Sequence, residues 1–222
     1  MRKLIAFILC ALLLMQMPAL AAQSAHDLAL EQVKVCAFSA EYNNGGRDFV
    51  ARWTDDIKVY IEGSYTNSDL AFFYSFIKDL ADNVPGMPSV SIVNSEGEAN
   101  VNMYFIKYNQ MSSYLDNYTE GNWGYFTFWW NGFGNIDRAK IGIAYDKCDQ
   151  EARNHLMMEE FIGMLGLAND HYLDSRSILY QKWTTVQKLT EADWIMLRML
   201  YNDKIRSGMK YNEAINVMKN VY

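Results

Sequence analysis

Residues 149–171 read Asp149-Gln150-Glu151-Ala152-Arg153-Asn154-His155-Leu156-Met157-Met158-Glu159-Glu160-Phe161-Ile162-Gly163-Met164-Leu165-Gly166-Leu167-Ala168-Asn169-Asp170-His171. The stretch predicts a helix. Asp149 is the expected N-cap, the helix runs to about Leu165, and Gly166 suits its C-terminal end. Two carboxylates interrupt a run that is otherwise apolar. Glu160 has Leu156 and Met157 one turn before it and Gly163 and Met164 one turn after it. A carboxylate in such surroundings is desolvated, and a functional reason for it is worth seeking. Glu159 shares a helix face with His155 and Gly163.

Upstream, Ile57-Lys58-Val59-Tyr60-Ile61 alternates with period two and reads as a strand ending at Gly63. Ser68 is the expected cap of a helix starting at Asp69, with Leu70, Phe73, Ile77, Leu80 and Val84 at helical spacing. Pro85-Gly86 ends it. Val90 to Val93, Val101 to Ile106 and Lys140 to Tyr145 read as further strands, and 109–122 as a polar loop. Thr190-Glu191-Ala192-Asp193 is a capping box that opens a helix through Tyr201, and a last helix covers about Lys210 to Lys219. Residues 23–54 give no clear assignment. The order of elements predicts one α+β domain over 23–222, with helices packed on a mixed β-sheet and a helical C-terminal part.

The N-terminus is of another kind. Arg2 and Lys3 precede an apolar run from Ile5 to Leu14, and Ala19-Leu20-Ala21 supplies small residues for cleavage. Residues 1–22 therefore read as a secretory signal peptide, and the chain is expected to be exported, periplasmic or secreted. The apolar run is too short to span a bilayer comfortably, and no membrane span is expected in the mature chain. Cleavage would leave 200 of the 222 residues and, without Arg2 and Lys3, a net charge of −8 in place of −6. It would also leave two of three cysteines, Cys36 and Cys148. An even pair in an exported protein is expected to form a disulfide, worth roughly 4–5 kcal/mol for so long a loop. The acidic balance, 26 Asp+Glu against 20 Lys+Arg, argues against nucleic acid as a partner. With 50% hydrophobic and 21% charged residues the chain can bury a core, which excludes a disordered protein.

The 159–169 segment resembles the zinc-binding helix of metzincin proteases, H-E-x-x-H-x-x-G-x-x-H. Glu160 falls on the general-base Glu, and Gly166 with Leu167 matches the Gly turn. Glu159, Gly163 and Asn169 fall on the three zinc-binding His. The resemblance implies a zincin-like fold with the Glu-Glu helix at its centre. The ligand pattern supports no zinc and no other cofactor, since glycine has no donor side chain.

A second resemblance covers the mature region. Arg52-Trp53, Ile57-Lys58-Val59, Glu62-Gly63, Cys148, Glu159-Glu160, Leu165-Gly166-Leu167 and Asn169-Asp170 are similar to a bacterial domain family of unknown function, DUF2927. So are Ser177-Ile178, Leu189-Thr190, Asp193, Leu197-Arg198, Leu200-Tyr201 and Ser207-Gly208-Met209. It implies an exported protein and no known activity.

The candidate site residues follow. Glu159 and Glu160 are a candidate acid–base pair, with Asn169, Asp170 and His171 on the facing turn as binding residues. The bland alternative is structural, an internal carboxylate bonded to backbone amides or to Arg198. His155, Glu159 and His171 form an alternative metal set, because His155 and Glu159 stand four residues apart on one helix face. The aromatic run from Trp123 to Phe133, with Trp129 and Trp130, is a candidate platform for a protein, peptide or glycan ligand. Core packing is the alternative there. The leading expectation is a non-proteolytic binding or accessory protein on a degenerate peptidase scaffold. The competing one is a hydrolase that uses Glu160 as general base.

Overall fold

The computed structural model describes residues 25–38 and 46–221. Residues 1–22, which the sequence reads as a signal peptide, lie outside them. Helix α1 covers 25–38, within the region that the sequence left unassigned. There follow β1 (Arg52–Trp53), β2 (Ile57–Gly63), α2 (Asn67–Asn83), β3 (Val90–Ile92), β4 (Val101–Ile106) and α3 (Met111–Tyr114). Then come β5 (Gly124–Trp130), β6 (Asn135–Ala144), α4 (Gln150–Met164), α5 (Glu191–Leu200) and α6 (Tyr211–Met218).

The six strands make one sheet, mostly parallel. β2 lies between β3 and β4, and β4 pairs β6, all parallel, with the short β1 also parallel to β6. β5 pairs β6 antiparallel along the side away from β4. The alternation read in the sequence is the pleat: Ile57, Val59 and Ile61 are buried while Lys58 and Glu62 are exposed.

The main core lies between one sheet face and helices α2 and α4. Phe161 of α4 meets Phe73 and Phe76 of α2 edge-on, with ring centroids 5.2 and 6.0 Å apart. A smaller cluster, Tyr104, Ile106, Met111, Leu115 and Ala144, covers the other face under the 108–122 segment.

α2 starts two residues earlier than expected. Its N-cap is Thr66, whose side chain accepts from the Asp69 amide, while Asp69 Oδ2 accepts from the Thr66 amide at 2.7 Å. Ser68 is thus inside the helix. Asp69 is buried and also accepts from Gln150 Nε2 at 2.7 Å, and Arg153 Nε lies 3.2 Å away. This ties the N-terminal ends of α2 and α4 together.

The C-terminal end of α4 is held by three side chains from far along the chain. Trp53 Nε1 donates to the Met164 carbonyl at 3.0 Å, Tyr201 Oη to Leu165 at 2.8 Å, and Arg47 to Gly166 at 3.1 Å. Each satisfies a carbonyl that a helix end leaves without an internal partner. Gly166 turns the chain away with φ +121°, and a Cβ there would strike the Ala51 carbonyl.

The expected Cys36–Cys148 disulfide is absent. Cys36 lies at the end of α1, where its carbonyl accepts from the Asn169 amide at 3.1 Å, beyond the C-terminus of α4. Cys148 precedes the N-cap of the same helix. The 15 residues of α4 separate the two by about 22 Å, far more than a disulfide can span. Burial pushes the Cys148 thiol up to about 11.

Candidate functional site

α4 and β5 face each other across a cavity of about 920 Å³. Gly124, Phe126 and Phe128 of β5 turn toward α4, and Tyr125, Thr127 and Trp129 turn to the opposite sheet face. Two glycines bring helix and strand close. A Cβ on Gly124 would collide with the Glu160 carboxylate and Leu156, and a Cβ on Gly163 would collide with the Phe126 ring. Phe126 stacks parallel to Phe128 at 6.0 Å, and Phe128 leads on to Trp130 at 5.7 Å. Arg47 closes that end of the cleft, 5.0 Å from the Phe128 ring centroid. Burial lowers its guanidinium to about 10.

At the other end stand His155 and Glu159. His155 is 2% exposed, and its Nδ1 lies 2.7 Å from the Val186 carbonyl. That contact requires the proton on Nδ1, so the neutral ring presents Nε2 as an acceptor. Nε2 lies 3.4 Å from Glu159 Oε2 and 3.5 Å from Thr184 Oγ1. Burial lowers the imidazole pKa and keeps the ring neutral. Trp183 meets His155 at 6.0 Å and Trp123 at 5.2 Å, edge to face in both cases.

The structure therefore brings together most of the expected site residues and separates others. Glu159, Glu160, Asn169, Asp170 and Trp130 all line the cavity. Glu160 is buried, only 8% exposed. Arg198, offered as its partner, donates instead to Glu191 and the Trp194 carbonyl. The Asn169 side-chain amide donates to the Cys36 carbonyl at 3.2 Å and so ties the 167–170 turn to α1.

His171 is not in the cleft. It is 2% exposed, its Nδ1 accepts from the Leu173 amide at 3.1 Å, and its Nε2 lies 3.2 Å from Ser177 Oγ. Ser177 in turn donates to Asp193 at 2.5 Å. The alternative metal set therefore loses its third member, and among the described residues no group of three or more His, Cys, Asp or Glu gathers to hold an ion.

Trp129 is also on the wrong face. It packs under Arg138, 4.3 Å from its ring centroid. The pleat alternates sides, so Trp130 falls on the cavity side with Phe126 and Phe128.

The sequence reading missed Arg47, Trp183 and Thr184. The first sits next to an Asn-Gly loop and the other two in a stretch with no periodicity. Trp123 was within the aromatic run but was not singled out.

A family model for proteins of unknown function, DUF2927, matches residues 31–220. The chain belongs to the DUF2927 family. No curated protein matches it. In this DUF2927 chain, positions that the metzincin resemblance sets against zinc ligands have other occupations. Gly163 is covered by Phe126, and Asn169 spends its amide on α1. The donor set does not fit a tetrahedral zinc site of the metzincin kind.

Proposed function

We propose that this chain is an exported, non-proteolytic binding or accessory protein on a zincin-like scaffold, and that its ligand is an extended peptide segment. The observation that carries this is the edge strand beside the cleft. Ala144 N donates to the Trp123 carbonyl at 2.7 Å, so Trp123 and Ala144 form a hydrogen-bonded pair. In an antiparallel ladder such pairs alternate. Gly124, Phe126 and Phe128 therefore direct their peptide groups to the outer edge of β5, and no strand among the described residues pairs with it. An added strand would satisfy those groups with its own backbone.

A glycan is less well served. Phe126 is engaged with Gly163, and its ring and that of Phe128 stack on each other rather than opening flat faces. The zincin-like reading is supported by the position of this edge strand next to the Glu-Glu helix.

The test is binding of capped synthetic hexapeptides to the mature protein, followed by tryptophan fluorescence. Saturable quenching with no cleavage product supports the reading. Turnover that disappears in Glu160→Gln would replace it with the hydrolase reading, Glu160 acting as general base.

A further inference from the structure

The cleft is not uniform in charge. Arg47 closes the end near Phe128 and Trp130, while Glu159, with His155 beneath it, stands at the end near Trp123 and Trp183. β5, seven residues long, spans the distance, about 20 Å. Glu160 and Asp170 add two more carboxylates to the cavity wall. Lys182 also borders it, but is exposed to solvent, where its charge is screened.

At the Glu159 end two acceptor atoms lie side by side. Because the Nδ1 proton of His155 is held by the Val186 carbonyl, Nε2 faces the Glu159 carboxylate with its lone pair. A cationic donor seated there would find an acceptor in each, the two being 3.4 Å apart, with Thr184 Oγ1 also 3.5 Å from Nε2. Beside them the indoles of Trp123 and Trp183 form a perpendicular pair, 38% and 55% exposed. Two exposed indoles in contact form a contiguous apolar patch, the kind of surface that marks an interaction site. An indole face attracts a cation, and more strongly where the site is partly desolvated. The carboxylate and the rings thus favour the same charge.

We propose that Trp123, Trp183, His155 and Glu159 form a subsite for a cationic side chain, the ammonium or guanidinium of a Lys or Arg in an extended peptide seated along β5. The inference rests on the peptide-binding reading above and adds which residue the peptide must carry and at which end. Arg47 sets the direction, because it repels a cation from the opposite end of the cleft.

The experiment uses a positional-scanning library of capped hexapeptides against the mature protein, with binding measured by fluorescence and calorimetry. One position is expected to prefer Lys or Arg over norleucine by about tenfold. Glu159→Gln and Trp183→Leu should each reduce that preference, read as the ratio of the two affinities within the same variant, to about threefold or less. Trp183 is exposed, so its replacement leaves the core intact, and circular dichroism checks the fold of both variants. Equal binding of the Lys and norleucine peptides, or preference for an acidic residue, overturns the cation subsite and leaves the peptide-binding reading standing. Failure of every library member to bind overturns both.

Discussion

The ring of Phe126 rests on the backbone of Gly163. A helix and an edge strand meet there without any side chain from the helix, and a Cβ at 163 would enter the ring. Gly163→Ala should therefore destabilise the protein by about 1–3 kcal/mol, as overpacking does. Phe126→Leu in the same chain should recover part of the loss, because neighbouring residues do not act additively. Urea midpoints of the two single variants and the double variant measure it. An additive double variant would mean that the contact has no energetic weight.

Tyr201 links α5 to the end of α4. Its hydroxyl is buried and donates to the Leu165 carbonyl at 2.8 Å, and burial raises its pKa so that it remains a donor at neutral and alkaline pH. Tyr201→Phe keeps the ring and leaves that carbonyl unsatisfied. The cost should be about 1–3 kcal/mol in an equilibrium unfolding measurement. A change within a few tenths would show that the carbonyl finds another donor.

His171 makes stability depend on pH. Burial lowers its pKa from 6.5 to about 4 in the folded chain. The unfolded chain takes up the proton first as pH falls, so the contribution is complete above pH 6.5 and is lost between 6.5 and about 4. His155 is lowered by burial as well and acts in the same direction. Asp193 is raised by burial and opposes them, since its folded form binds a proton more readily. Thermal midpoints are expected to fall as pH is lowered through this window. His171→Asn should flatten the slope, removing about 2–3 kcal/mol of pH-dependent stability. An unchanged slope in the variant would assign the effect to other groups.

Gln32 of α1 is fully buried, and among the described residues neither atom of its amide group has a hydrogen-bond partner. Ala29, Val33 and Cys36 around it are buried as well. Gln32→Met should raise stability by about 1–2 kcal/mol, because it removes two unsatisfied polar atoms and keeps the volume. A fall in the urea midpoint would overturn this account.

The fold was legible where local chemistry decides it. The period-two alternation of β2, the Asp149 cap of α4 and the Thr190–Asp193 box of α5 each depend on residues a few positions apart, and each stands as read. The same chemistry placed the start of α2 at Thr66 rather than Ser68, since Thr66 and Asp69 also form a capping box. Helix α1 was hidden because its apolar positions have no clear border in 23–54. On the site, the spacing along α4 brings His155, Glu159 and Glu160 to the wall of one cavity. Spacing could not say that His171 would turn to Ser177 or that Trp129 would lie under Arg138.

The amino-acid sequence by itself determined the elements with clear caps or periodicity, the Glu-Glu helix among them, and the family, because caps, turns and periodicity act within one or two turns of chain. Only the tertiary structure decided what that helix faces. Trp53, Tyr201 and Arg47 reach the end of α4 from 111, 36 and 119 residues away. The separation of Cys36 from Cys148, the cover of Phe126 over Gly163 and the corner of Trp123, Trp183, His155 and Glu159 depend equally on how the sheet stacks against α4. Such contacts are long-range, and no local pattern in the chain encodes them.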